Sequence, residues 1–297
     1  MVGKQERRYQ RMITVVLALI SLIMVIPLVL LVVASFTSNN EIVLHGYSFF
    51  PKELSLEAYR YIWNERAQVF HAYGITILVT AIGTTIGVMM TLLYAYVLAH
   101  EKFPGKTFLA FYLFFTMLFN GGLVPTYIMY TRYLHMKNTI PALIIPGLLM
   151  SAFNVILTRT YIQSNVPAAL SEAAKIDGAT EFQVFRKVVL PMCKPIIATV
   201  GLFAGLGYWN DWTNGLYYIT DTNKFSIQQL LNNMIKNIEF LSKNANSNIN
   251  LASVGGGIPQ ETVRMAIAIV GLLPILIVFP FVQKYFVKGV TIGSVKG

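Results

Sequence analysis

Residues Met12–Ser35 form an apolar run relieved only by Thr14, Ser21 and the terminal Ser35. A helix that is apolar all round belongs in a large core or across a membrane, and about 20 such residues span a bilayer. Val32 and Ala34 imitate a signal-cleavage site, but the run is far longer than the roughly 7–15 residues of a signal core. A retained helix is therefore expected. Composition agrees: 55% of the 297 residues are hydrophobic and 12% are charged, where a soluble domain carries about 25% charged residues.

Five more spans are expected at about Tyr73–Ala99, Thr107–Phe119, Pro141–Tyr161, Pro195–Leu216 and Arg264–Val282. The third is cut short by Asn120, Gly121, Gly122 and Pro125 and is expected to continue irregularly to Tyr130. Irregular backbone at membrane depth is tolerated where protein or water covers it. The fold class that follows is an all-α integral membrane protein with six transmembrane helices. It divides into a basic N-terminus (1–11), a first helix (12–35), an external loop (36–72), a five-helix core (73–285) and a tail (286–297).

Six spans place both termini on one side. With the N-terminus inside, 14 of the 23 Lys and Arg residues fall inside, and the external loops, about 36–72 and 219–263, are the longer ones. Positive charge gathers on the cytoplasmic side, so both termini are expected in the cytoplasm of a bacterial plasma-membrane protein. The net charge of +10 thus reflects orientation in a membrane, not a nucleic-acid surface.

Several chemistries are excluded. Cys193 is the single cysteine, and His45, His71, His100 and His135 have no ligand spacing, so no metal site is expected. Pro104–Thr107 reads Pro-Gly-Lys-Thr, but the glycine a phosphate loop needs earlier is His100. No cofactor is expected in this chain, and it carries no nucleophile constellation. Gly83–Gly87 and Gly201–Gly205 have the Gly-x-x-x-Gly spacing that lets helices approach closely in lipid. Glycine is also simply common in membrane helices.

The connection 164–191 differs from its surroundings, with six charged residues between Ser171 and Pro191. Asn165 can cap a helix with Pro167 in its first turn. Ala168–Lys175 favours helix, and Gly178 offers a C-terminal stop. Thr180 and Gln183 have capping-box spacing. Phe182, Phe185 and Val189 would form one apolar face. Asp177 would oppose the dipole of the first helix. These residues alone fit either an amphipathic loop on the inner membrane surface or a docking handle.

Glu172, Ala173, Ala174, Asp177, Gly178, Ala179, Phe185, Leu190 and Pro191 closely resemble the "EAA…G…LP" signature of permease subunits of binding-protein-dependent ABC importers. The resemblance implies a type I importer fold in which this segment is the coupling helix. Glu172 would then contact the ATPase and Gly178 would form the elbow. Phe103–Lys106 and Trp209–Trp212 ("WNDW") are similar to elements of carbohydrate-type permeases. Gln283–Gly297 is similar to the end of the maltose-type six-span subunit. The sequence looks nearest the complex-oligosaccharide permeases of Gram-positive bacteria. The partners so implied are a second homologous permease in a heterodimer, two ATPase subunits that bind ATP and Mg, an extracellular sugar-binding protein, an oligosaccharide and membrane lipid. No nucleic acid is expected.

Sugars are held by hydrogen bonds and aromatic faces in largely apolar sites. Within the spans, Asn154, Tyr208, Trp209, Asn210 and Asp211 are the candidate substrate-path residues, with Asn120 beside Gly121–Gly122. An interfacial aromatic belt is the alternative for the aromatic residues, and a helix break for Asn120. In the external loops, Leu54–Trp63 reads as a short surface helix, and Ile227, Leu230, Leu231 and Met234 recur at helical spacing. Both loops either dock a binding protein or merely connect. Rival functions are an importer of a non-sugar solute such as a peptide, amino acid or metal, an ion-driven carrier, and a membrane-embedded enzyme. The carrier would call for inverted repeats, which are not visible here.

Overall fold

A computed structural model describes residues 4–100, 103–245 and 260–293, and the described regular structure is helical apart from one isolated bridge, Thr37 to Leu54. The helices are α1 Lys4–Ser35, α2 Asn39–His45, α3 Glu57–Asn64, α4 Arg66–Ala99, α5 Lys106–Leu118, α6 Leu123–Ile128, α7 Pro141–Ile144, α8 Ala152–Asn165, α9 Ala168–Ile176, α10 Glu181–Val184, α11 Leu190–Met192, α12 Lys194–Trp209, α13 Thr213–Tyr218, α14 Ile227–Ala245 and α15 Gln260–Gly293. Among the described residues three stretches are long and apolar enough to cross a membrane: Arg8–Ser35, Arg66–Ala99 and Gln260–Val278. Two bent pairs, α5 with Leu123–Tyr133 at 115° and Glu181–Met192 with α12 at 81°, would bring the number up to five only if each were a single span.

The chain folds as two compact units, Met1–Val69 with Leu231–Pro274, and Phe70–Leu230 with Ile275–Gly297. In the first, α1 is exposed along nearly its whole length. Its C-terminal end is held by Ser35, whose Oγ lies 2.8 Å from the Tyr59 hydroxyl, and by Phe36 stacked on Tyr59 at 4.8 Å. Arg264 meets Glu261 at 3.1 Å and Glu239 at 3.5 Å, and the Tyr47 hydroxyl donates to Glu261 at 3.1 Å. The expected loop helix is observed as α3.

The second unit has a core of Leu92, Ala95 and Leu98 from α4, Leu113 from α5, Val155 and Ile162 from α8, and Val184, Phe185, Val189 and Cys193 from the segment between α9 and α12. The glycine spacing finds its reason here. The Tyr208 ring of α12 lies against Gly83 of α4, and the Leu149 carbonyl lies against Gly87. Gly201 and Gly205 in turn face Val88 and Thr84. With no hydrophobic gain between helices in lipid, such close approach supplies the packing.

Pro141–Tyr161 is not the continuous helix expected of a fourth span. The helix stops at Ile144 and resumes at Ala152. Pro146 has no amide proton to continue it, and Gly147 takes φ +72, where only glycine is comfortable. The freed carbonyls are satisfied from other elements. The Tyr208 hydroxyl donates to the Ile144 carbonyl at 2.9 Å, and the Asn214 amide donates to the Pro146 carbonyl at 3.0 Å. Both donors are buried.

Candidate functional site

Ser171–Pro191 folds as two short helices about a glycine, as its capping signals indicate. After α9, Gly178 adopts φ +81. Its amide donates to the Lys175 carbonyl at 3.0 Å, and the Ala179 amide donates to the Ala174 carbonyl at 2.9 Å. This is a Schellman stop, which satisfies carbonyls left open at the helix end. The reciprocal bonds of the capping box then start α10. The Gln183 amide donates to Thr180 Oγ at 3.3 Å, and the Thr180 amide donates to Gln183 Oε1 at 2.9 Å. One π-helical turn, Phe185–Val189, carries the chain on to α11.

Two local expectations fail. Asn165 does not cap α9. It is the last residue of α8, and its side-chain amide donates back to the Tyr161 carbonyl at 3.1 Å. Pro167 stands at the cap position instead. Phe182 does not share the buried face with Phe185 and Val189. Val184 takes that place, and Phe182 is 66% exposed. The burying side runs through Val184, Phe185 and Val189, which leaves Phe182 beside the exposed Arg186 and Lys187.

Glu172, Ala173, Asp177 and Gly178 are exposed, while Ala174 and Ala179 are half-buried against the core. Among the described residues Asp177 makes no ion pair. The segment's ionic contact comes from residues that sequence reasoning did not single out. Lys175 pairs with Glu181, so the last turn of α9 is tied to the first turn of α10. Glu181 also accepts a hydrogen bond from the Tyr96 hydroxyl of α4 at 2.9 Å and lies 3.8 Å from His100 Nε2. Tyr96 packs on Phe185 at 5.1 Å and edge-on to His100 at 4.6 Å. The Lys175 hydrogen bond is the largest influence holding the Glu181 carboxyl below the usual glutamate range, against a smaller opposing effect of burial. Exposed pairs of this kind contribute about 0.2–1 kcal/mol, so the cluster fixes geometry more than stability. The separation between Tyr96 and Glu181 left no signal in the sequence.

The substrate-path candidates do not converge. Asn154 lines a cavity of about 290 Å³ at the break between α7 and α8, together with Gly87, Thr91, Gly147, Ser151, Phe203 and Gly207. Tyr208 does not line it. That residue is 2% exposed and serves in packing and as a hydrogen-bond donor. Trp209 ends α12 with its ring 6.4 Å from Tyr73. Asn210 and Asp211 have local duties at the break after α12. The Asn210 side-chain amide donates to the Leu206 carbonyl at 2.9 Å, while Asp211 Oδ1 accepts from the backbone amides of Thr213 and Asn214 at 3.0 and 3.2 Å. Asn120 Oδ1 accepts from the Gly122 amide at 2.8 Å, which shapes the turn between α5 and α6. Asn138 was also missed: at φ 58, its side-chain oxygen accepts from the Thr220 and Asp221 amides at 2.6 and 3.1 Å.

In comparisons with known proteins, residues 83–292 match the family described as "Binding-protein-dependent transport system inner membrane component". The chain is 36% identical over 293 residues to the polygalacturonan/rhamnogalacturonan transport system permease protein YtcP of Bacillus subtilis (strain 168), covering 99% of this chain and 100% of that one. It is 35% identical over 275 residues to protein LplC of the same organism, covering 93% and 90%. It is 27% identical over 290 residues to the arabinooligosaccharides transport system permease protein AraQ of Halalkalibacterium halodurans, covering 96% of each. Among solved structures, a bacterial ABC transporter involved in the import of the acidic polysaccharide alginate matches with a TM-score of 0.75 and 27% identity, over 96% of this chain and 99% of that one.

Proposed function

The chain belongs to the family of binding-protein-dependent transport system inner membrane components, and on that premise we propose that it is the permease subunit of an ABC importer for an oligosaccharide. The family is one of permease subunits, so hydrolysis of ATP falls to partners. In this reading the chain crosses the membrane six times with both termini in the cytoplasm. The fourth crossing is the broken pair α7–α8, and the fifth is the broken pair α12–α13. The partners are a second related permease, two ATPase subunits and an extracellular binding protein. The relatives named for polygalacturonan/rhamnogalacturonan and arabinooligosaccharide transport, and the alginate importer, support a saccharide cargo.

The observation that carries the coupling role is the elbow at Gly178. It holds Glu172 exposed on α9 while the far side of the segment, through Val184, Phe185 and Val189, is rooted in the core. ATP-driven closure of the ATPases would push on this handle and turn the bundle from inward-open to outward-open.

The test is co-purification from a host expressing the neighbouring transport genes, followed by ATPase assays in nanodiscs with the binding protein. We expect an ATPase to be recovered with the chain and its turnover to rise with oligogalacturonides or arabino-oligosaccharides, but not with peptides. Glu172→Ala should weaken ATPase recovery. Wild-type recovery and uptake in that variant would overturn the handle, and stimulation by peptides alone would overturn the cargo.

A further inference from the structure

In the coupling reading the segment that carries Glu172 passes its motion to a membrane helix, and among the described residues Glu181 bonds that segment to the end of α4. The Glu181 carboxylate takes the Lys175 ammonium on one side and the Tyr96 hydroxyl on the other, with His100 Nε2 at 3.8 Å. Lys175 belongs to α9, the helix of Glu172, whereas Tyr96 lies in the last turn of α4 and His100 directly follows it. The Tyr96 ring is packed between His100 and Phe185, the latter 4% exposed. A carboxylate gripped from two elements fixes direction as well as distance, because charge-assisted bonds are short and oriented.

Helix α4 is also where motion would matter. Its Gly83 and Gly87 carry the Tyr208 ring and the Leu149 backbone, and Gly87 and Thr91 line the cavity that holds Asn154. Any rigid displacement of its Tyr96 end is therefore felt at those contacts.

We propose that Glu181, gripped by Lys175 and Tyr96, is a transmission clamp that locks the coupling segment to α4, so that the two move as one body when the ATPases close. These are positioning residues, and the inference rests on the coupling role proposed above. Tyr96 and Glu181 both lie outside α9, the helix that carries Glu172. Clamp variants should therefore uncouple motion without releasing the ATPase.

The experiment uses the assembled complex in nanodiscs, with spin labels at Ile176, which is 86% exposed, and Leu93 of α4, which is 43% exposed. The native Cys193 is buried. Wild type should give one narrow distance, the same without nucleotide and after trapping with ATP and vanadate. Tyr96→Phe, which keeps the ring, and Glu181→Ala should keep the ATPase bound in wild-type proportion but broaden or shift the distance on trapping. Glu181→Gln, which can still accept from Tyr96, should restore part of the narrow distribution. Unchanged distances in Tyr96→Phe and Glu181→Ala would overturn the clamp, as would loss of the ATPase from both variants, which would make them docking residues. A wild-type chain that recovers no ATPase, or a Glu172→Ala variant that recovers it undiminished, would instead strike the coupling reading itself.

Discussion

The Tyr208 ring sits so close over Gly83 that a methyl group added at Gly83 would meet its Cε atoms at 2.6 Å. The ring cannot retreat freely, because its hydroxyl is bound to the Ile144 carbonyl at 2.9 Å. Gly83→Ala should therefore cost about 1–3 kcal/mol through overpacking. Thermal unfolding in detergent should show it, with Gly74→Ala as control, since nothing lies within 4 Å of a methyl group there.

Tyr208→Phe keeps the ring but strips the donor from a carbonyl at a broken helix end. Leaving a buried acceptor unsatisfied costs about 1–3 kcal/mol. The expected result is a lower unfolding temperature and faster proteolysis between Ile144 and Ala152. Unaltered stability would mean that another donor serves Ile144.

Gly178 holds φ +81 with open space where a Cβ would point. The penalty for a side chain is thus conformational, about 1–2 kcal/mol for an L-residue in the left-handed region. Gly178→Val should reduce ATPase recovery strongly and Gly178→Asn mildly, since asparagine tolerates this conformation better. Equal effects would point to a lack of room at the docking face instead of strain.

Asp211 caps the start of α13 through its Oδ1. Asp211→Asn keeps a capping oxygen and should leave stability almost unchanged, whereas Asp211→Ala should cost about 0.5–2 kcal/mol. If Asp211→Asn retains the fold but loses transport of labelled oligosaccharide, the residue also serves the substrate path.

The Glu181 carboxyl is held low, first by Lys175. A lowered folded-state value means that the contribution is present above the unfolded value and is lost as pH falls through the folded one. The Lys175–Glu181–Tyr96 contact should thus persist from neutrality down to about pH 5 and loosen only below the usual carboxylate range near 4.3. The carboxyl carbon shift of labelled Glu181 should report this. A midpoint above that range would contradict the grip.

The helix signals that residues carry alone were legible. Met12–Ser35 demanded a membrane, and Thr180, Gln183 and Gly178 wrote their caps into the chain, because capping bonds close within a few residues. The glycine pairs permitted close helix approach, and the structure shows that α4 and α12 use it. Sequence failed where the deciding partner is distant. Nothing near Pro141–Tyr161 shows that Tyr208 and Asn214 will satisfy the carbonyls freed at its break. The break itself has a local mark in Pro146–Gly147, which the apolar content of the stretch outweighed. Phe182 lost its face for a related reason, since burial follows which side meets the core and not spacing alone. Tyr208, Asn210 and Asp211 read as candidate sugar contacts because sugars are held by hydrogen bonds and aromatic faces, and the tertiary structure adds that each also bonds to backbone near a helix break. What the sequence determined by itself was that this chain enters a membrane and presents a capped, charged elbow, both local consequences of hydropathy and backbone satisfaction. The tertiary structure alone decided which helix grips that elbow and which polar residues serve breaks in the backbone, because both depend on groups that only folding brings within bonding distance.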